Sequence, residues 1–293
     1  MLQLARDALR PLAIKRSTWR KAPDVAPSLI EGAARIGYSV RGLLYLAVGV
    51  ITLSAVLFRS INATSPTGAL GWLARQPFSW IWLLIASLGL LAFFGWRILQ
   101  GVFDIDRAGL SRDALSMRLS QTCSAFGYAI LSWAALSLAF HRPSDPELSE
   151  VQRTHRHAEQ ILSLPHGEWL LAGIAVAVAG VGIGNVSRAW RENFTDRLSC
   201  SEAVCRWLSP LARAGYLARG LAYLPLAAFI ALAAVRSSPE DVTSLGGALN
   251  ALVAEPIGRI ALSLAGGGFM AFGLFSLIEA RFRKFSFTGR RLF

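Results

Sequence analysis

Six long runs without a charged residue constrain this chain more than any other feature. They are Gly42 to Phe58, Gln76 to Trp96, Leu119 to Phe140, Trp169 to Ser187, Gly220 to Val235 and Ile260 to Leu277. A helix rises 1.5 Å per residue, so about 20 apolar residues carry it across the ~30 Å hydrocarbon layer of a bilayer. The first and fifth runs are short, and reach full length if Arg41 and Arg219 sit just inside the interface with their charges extended toward the headgroups. Backbone groups in lipid must be satisfied internally, which leaves helices or a closed barrel. These runs are too long for barrel strands and lack the alternating polar residues of one. The expectation is an all-α polytopic membrane protein with six transmembrane helices. Composition agrees: 54% of the 293 residues are hydrophobic and 16% are charged, against roughly 25% charged in an ordinary soluble domain.

Lys and Arg beside membrane segments are retained in the cytoplasm. The stretch through Arg35 and the second, fourth and last connections hold most of them, including Arg107, Arg112 and Arg118, then Arg188, Arg191, Arg197, Arg206 and Arg213, then Arg281, Arg283 and Lys284. The other side has only Arg59, Arg75, Arg142, Arg153, Arg156 and Arg236, twenty against six in all. Both termini are therefore expected in the cytoplasm. The net charge of +12 is spread over every such connection. No nucleic-acid motif accompanies it, so anionic lipid headgroups on the cytoplasmic face are the expected partner and nucleic acid is not. Residues 1–33 read as a basic cytoplasmic tail with Pro11, Pro23 and Pro27 and without the apolar core of a cleavable signal.

The chain repeats itself. Ala34 to Tyr45 (ARIGYSVRGLLY) returns as Ala212 to Tyr223 (ARAGYLARGLAY), with seven of twelve residues identical. The displacement of 178 is twice 89 and predicts a middle copy, present in eroded form at Phe126-Gly127-Tyr128, where Leu131 stands for the second Arg. Further along each unit, Gly68-Ala69-Leu70 with Pro77 matches Gly247-Ala248-Leu249 with Pro256, and His157-Ala158 with Pro165 is the middle counterpart. Each Pro is expected at the first helical position of the next span, preceded by a short helix on the outer surface. The units are a hairpin at 34–104, a degenerate hairpin at 118–190 and a hairpin at 211–285. In this Gly-Tyr-x-x-Arg-Gly-Leu-x-Tyr signature, with Gly-Ala-Leu and Pro before the second helix, the chain resembles the bacterial membrane protein family that carries the domain of unknown function DUF1206. The resemblance implies a location in the bacterial cytoplasmic membrane and supplies no activity.

Three parallel hairpins suggest a six-helix bundle with approximate threefold symmetry about the membrane normal. Contact between the first and sixth spans would support this arrangement, and a linear row of hairpins would defeat it.

Tyr38, Arg41 and Tyr45, spaced i, i+3, i+7, share one helix face, as do Tyr216, Arg219 and Tyr223. Arg97 lies near the cytoplasmic end of the second span. These seven residues either converge on the bundle axis to grip an anion or lipid phosphate, or anchor the helices at the headgroups. Gly173, Gly180, Gly182, Gly184, Gly266, Gly267, Gly268 and Gly273 crowd the later spans, and Gly180 with Gly184 forms a small-xxx-small pair for close packing within the chain or against a second copy. Asp104-Ile105-Asp106 offers too few oxygens for a hard cation. His141, His155, His157 and His166 fall in one outer connection without zinc-site spacing, and Cys123, Cys200 and Cys205 are expected as free thiols. No metal, cofactor or catalytic constellation is expected. Acids within the spans are missing, since Glu168 and Glu279 read as helix-end residues. The leading expectation is a non-enzymatic membrane scaffold acting through lipid or protein contacts, with a homo-oligomer or another membrane protein as possible partner. The alternative is a small-solute or anion transporter or channel with a pathway at the centre of the three hairpins.

Overall fold

A computed structural model describes residues 27–58, 62–104, 111–140, 150–194, 198–199, 202–252 and 258–284. Among them are nine α-helices: α1 (Pro27–Leu57), α2 (Pro66–Leu73), α3 (Ser79–Phe103), α4 (Arg112–Phe140), α5 (Glu150–Leu162), α6 (Gly167–Arg191), α7 (Glu202–Arg236), α8 (Leu245–Leu252) and α9 (Gly258–Phe282). Helices α1, α3, α4, α6, α7 and α9 each contain a stretch long and apolar enough to cross a membrane. All six expected spans are present, and each helix runs beyond its charge-free stretch. Helix α1 begins at Pro27, so residues 27–33 of the expected tail are helical; residues 1–26 lie outside the described residues. Arg35 continues α1 past the apolar run, held by Glu31 one turn earlier (2.7 Å).

The helices close into a ring in the order α1, α3, α4, α6, α7, α9. The most extensive contacts run between successive copies, α3 on α4, α6 on α7 and α9 on α1. Contact of the last span with the first makes the arrangement cyclic rather than linear. Small residues set the seams. A Cβ on Gly273 would lie 2.7 Å from the Gly42 carbonyl oxygen, and one on Gly49 would lie 2.8 Å from the Gly266 carbonyl oxygen, so α1 and α9 touch backbone to backbone. Gly182 and Gly220 play the same part between α6 and α7, at 3.1 and 2.8 Å from one another's carbonyl. Between α3 and α4 the glue is polar: Ser132, in the position of Gly42 and Gly220, donates to the Ser87 carbonyl (2.9 Å) while Ser87 donates to the Ser132 carbonyl (3.0 Å). The expected Gly180 and Gly184 pair does not pack one helix backbone on another within the chain. Nothing lies within 4 Å of a Cβ on Gly180, and Gly184 meets only the Ser120 hydroxyl.

Within copies, the first and third hairpins are closed by matching contacts. Gly37 lies against the Phe93 backbone and Gly215 against that of Phe272. The middle hairpin is splayed: α4 and α6 touch sparsely, and Gly127, the counterpart of buried Gly37 and Gly215, is exposed with nothing within 4 Å of its Cβ position.

We call the end where α1 begins and α9 finishes the proximal end. The short helices α2, α5 and α8 occupy the distal end and cross-link there. The Ala63 N–H donates to Asn250 Oδ1 (2.9 Å), Asn250 Nδ2 donates to the Ala63 carbonyl (3.2 Å), and Glu150 accepts from Thr64 and Thr67 (3.5 and 3.4 Å). Ser65 and Ser244, equivalent residues, cap α2 and α8 by accepting from the N–H groups of Gly68 and Gly247 (3.1 and 3.0 Å). The prolines lie elsewhere than expected. Pro77 and Pro165 precede the spans by two residues, in the turn, and Phe78 and His166 follow them as N-caps with left-handed backbone (φ 56° and 61°). That left-handed residue, and not a proline at the first helical position, redirects the chain from short helix into span. Pro256 lies outside the described residues.

Gly273→Leu is expected to overpack the α1–α9 seam and destabilise the protein by about 1–3 kcal/mol. Gly267→Leu, on a face with nothing within 4 Å, should unfold at the parental temperature. Thermal unfolding of both in detergent checks this.

Candidate functional site: a buried arginine and aromatic core

The guanidinium of Arg41 is the most deeply buried charge among the described residues. Its side chain is 0% exposed, and Nη2 donates to Glu279 Oε2 at 2.6 Å. Glu279 also accepts from Arg283 Nη1 at 3.0 Å, one turn along α9. The guanidinium carbon of Arg41 lies 4.6 Å from the Phe93 ring centre, 4.8 Å from Tyr38 and 4.9 Å from Phe272. These partners come from α1, α3 and α9, so one side chain joins three helices. Breaking a buried ion pair by removing one partner costs about 3–5 kcal/mol. Glu279 stands in the last turn of α9, as its position suggests, and is nonetheless buried there, 7% exposed.

Arg219, the third-copy equivalent of Arg41, is 7% exposed and has no carboxylate partner among the described residues. Aromatic faces hold it instead: Phe272 at 4.8 Å, Tyr45 at 4.9 Å, Tyr223 at 5.5 Å and Tyr128 at 5.9 Å. A desolvated cation–π contact contributes up to about 2 kcal/mol, so four such faces are of the order of the several kcal/mol that burying a cation costs. The Tyr45 and Tyr223 hydroxyls meet at 3.4 Å. Edge-to-face pairs run through the core, Tyr38 with Phe93 (5.0 Å), Phe93 with Tyr128 (4.6 Å), Tyr45 with Phe272 (4.8 Å) and Tyr216 with Phe272 (5.1 Å). Tyr38, Arg41, Tyr45, Tyr216 and Arg219 are all buried inside the bundle rather than displayed on its surface; Tyr223, partly buried, also turns inward to Tyr45.

Arg97 is 6% exposed and lies near one ring among the described residues, Phe93 at 5.1 Å, with Nε lacking a hydrogen-bond partner. It borders a polar cavity of about 20 Å³ toward the proximal end, together with Gln100, Gln121, Arg188, Glu279 and Arg283. Water needs about 10–15 Å³ of such space, so the cavity holds roughly one. Gln100, Arg188 and Glu279 stand at the same distance after Pro77, Pro165 and Pro256, and so are one position repeated three times around the axis. The sequence pattern of the first helices reveals Tyr38, Arg41 and their partners. Tyr128 belongs to the same first-helix pattern, whereas Glu279, Phe93 and Phe272, which also receive them, become visible only when the second helices are aligned on their prolines.

Two arginines cap carbonyl ends across seams. Arg35 Nη1 donates to the carbonyls of Ala280 and Arg281 (2.6 and 2.8 Å), and Arg118 donates to those of Gly101 and Val102 (both 2.9 Å). Each places positive charge at a helix C-terminus, where the dipole favours it. Asp104 ends α3 with left-handed backbone and faces Arg118 at 3.8 Å; Asp106 lies outside the described residues. His155 and His157 are on helix α5 rather than in a loop, and His166 is an exposed N-cap. His141 is outside the described residues, and among those described no three His, Cys, Asp or Glu residues gather as a metal site.

A ring of three helical hairpins, each with one long helix, a short distal helix and a second long helix, defines a multi-pass membrane protein built from tandem copies of one unit. The Domain of Unknown Function (DUF1206) family matches the chain three times, over residues 36–104, 119–192 and 214–283, and the protein belongs to that family. It is similar to the "Uncharacterized protein YxxB" of Bacillus subtilis (strain 168), 26% identical over 272 residues that cover 92% of this chain and 96% of the relative. No solved structure matches it.

Glu279→Ala is expected to lower stability by about 3–5 kcal/mol by leaving Arg41 buried without its carboxylate. The double variant Arg41→Met, Glu279→Met should lose less than the two single variants together, which a double-mutant cycle of unfolding free energies measures.

Proposed function

We propose that the protein is a non-enzymatic scaffold of the bacterial cytoplasmic membrane, acting through contacts with anionic lipids or membrane partners. The observation that carries this reading is the plugged core. A pathway through the hairpins would present Arg41 and Arg219 to a passing ion, but Arg41 is closed in by rings and its ion pair with Glu279, and Arg219 by rings. The axial cavity has room for about one water, and the distal end is cross-linked by Asn250 and Glu150. The excess of basic residues at the proximal end supports its placement in the cytoplasm, against anionic headgroups.

The second reading, a conduit for small anions, is favoured by one feature. Arg97 and Arg219 have no carboxylate partner among the described residues, and a site that excess of positive charge favours is an anion site.

Reconstituted proteoliposomes loaded with chloride or phosphate separate the two. The scaffold reading expects efflux at the rate of protein-free vesicles, and saturable efflux abolished by Arg219→Gln would establish the conduit instead. Reporters fused to the two ends are expected to be active on the cytoplasmic side at both.

A further inference from the structure

Away from the axis, the distal half of the α6–α7 seam opens outward as a groove of about 560 Å³, within the ~300–1,000 Å³ of ordinary small-ligand sites. Alanines form it: Ala172, Ala175 and Ala179 of α6 and Ala227, Ala231 and Ala234 of α7. The origin lies in the repeat. In the equivalent α1–α9 seam, Leu53 packs on Gly266 and Met270 on Gly49. Here Ala175 and Ala227 stand for the two glycines, and Ala231 and Ala179 for Leu53 and Met270, so the side chains that fill the one seam are missing from the other. The length of the groove matches one leaflet. It runs from Glu168 to Ala179 on α6 and from Leu224 to Val235 on α7, about 16 Å along each helix and half of the ~30 Å hydrocarbon layer. Trp169 and Trp190, 74% and 73% exposed, stand about 31 Å apart on α6, the separation of the two interfaces that tryptophan favours. The distal end of the groove, formed by Glu168 and Trp169, is therefore at headgroup depth. Glu168 makes no hydrogen bond or ion pair with any described residue, and Arg236, which follows Val235 on the facing helix, is engaged by Asp241 at 3.6 Å.

We propose that this groove holds one acyl chain of an aminophospholipid, whose ammonium donates to the Glu168 carboxylate. Depth selects a lipid, since the apolar trough ends where a headgroup begins. Charge decides which headgroup. An anionic one would bring its phosphate to the carboxylate with no cation of its own to offset the repulsion, whereas a primary ammonium answers the carboxylate with a charge-assisted hydrogen bond. This site lies beyond the lipid contacts proposed above: those are anionic and proximal, and this one is at the opposite end of the bundle.

The test uses the purified full-length protein, stripped of lipid in detergent and titrated with phosphatidylethanolamine or phosphatidylglycerol of identical acyl chains, bound lipid being counted by native mass spectrometry. The expected result is a first phosphatidylethanolamine retained about tenfold more tightly than phosphatidylglycerol, the ratio that one charge-assisted hydrogen bond supports. Glu168→Gln should abolish that preference. Ala231→Leu, which restores the residue of the α1–α9 seam, should weaken the first binding event for both lipids while the unfolding temperature holds or rises, so a misfolded Glu168 variant does not leave the matter open. Equal retention of the two lipids, a preference that survives Glu168→Gln, or binding unaltered by Ala231→Leu overturns the proposal. Retention of dodecylamine but not of phosphatidylethanolamine also overturns it, by assigning the groove to a free amine. Failure here with no ion efflux sinks the groove and leaves the scaffold standing; a bound phosphatidylethanolamine together with protein-dependent efflux does the reverse.

Discussion

The pairing of Arg41 with Glu279 joins the first long helix to the last, and the cyclic order of the other helices follows from it. A full charge in the interior is tolerated only with compensating groups arranged around it, and here they come from α1, α3 and α9 together. The glycines of the α1–α9 seam bring the two backbones into contact, which allows the short carboxylate of Glu279 to reach the guanidinium. Packing and electrostatics thus require one another. Without Gly42 and Gly273 the helices would stand too far apart for the pair, and without the pair the close seam would enclose an uncompensated cation.

The copies use one position for different purposes. Arg41 has a carboxylate and three rings, whereas Arg219 has rings alone. At the position before the proximal end of each second helix stand an amide, a guanidinium and a carboxylate, Gln100, Arg188 and Glu279. A strictly threefold protein would place three like charges there, and their repulsion in a low-dielectric interior would be severe. Divergence between the copies resolves that conflict while the backbone pattern persists. All three copies keep a buried tyrosine, Tyr38, Tyr128 and Tyr216, and the middle one survives where its arginine does not.

The membrane spans were legible because hydrophobic length is a property of a single segment, as was the repeat, because the first-helix signature survives in two copies. That Glu279 stands near a helix end was legible, but its burial was not: that place says nothing about what the neighbouring helix offers, and Arg41 lies far away in the chain. The aromatic acceptors Phe93 and Phe272 were hidden among many apolar residues in runs where any large side chain satisfies the membrane. Glycine density marked the later spans as packing helices without saying which glycines pack. Gly182 meets a neighbouring backbone and Gly180 does not, a difference set by the direction in which each points around α6. The left-handed residues Phe78 and His166 carry no residue-type signal, since neither is glycine or asparagine, so the turn before each span could not be placed from sequence.

Ring closure has a bearing on how the chain is made. Arg41 leaves the ribosome 238 residues before Glu279, so the insertion machinery must hold the opening helix beside lipid while five more segments are laid down. Until the final segment arrives, that cation has only its aromatic neighbours for company. Ring closure therefore waits for a latching event between the first span and the sixth, and a chain cut before Glu279 would be left as an unfastened belt.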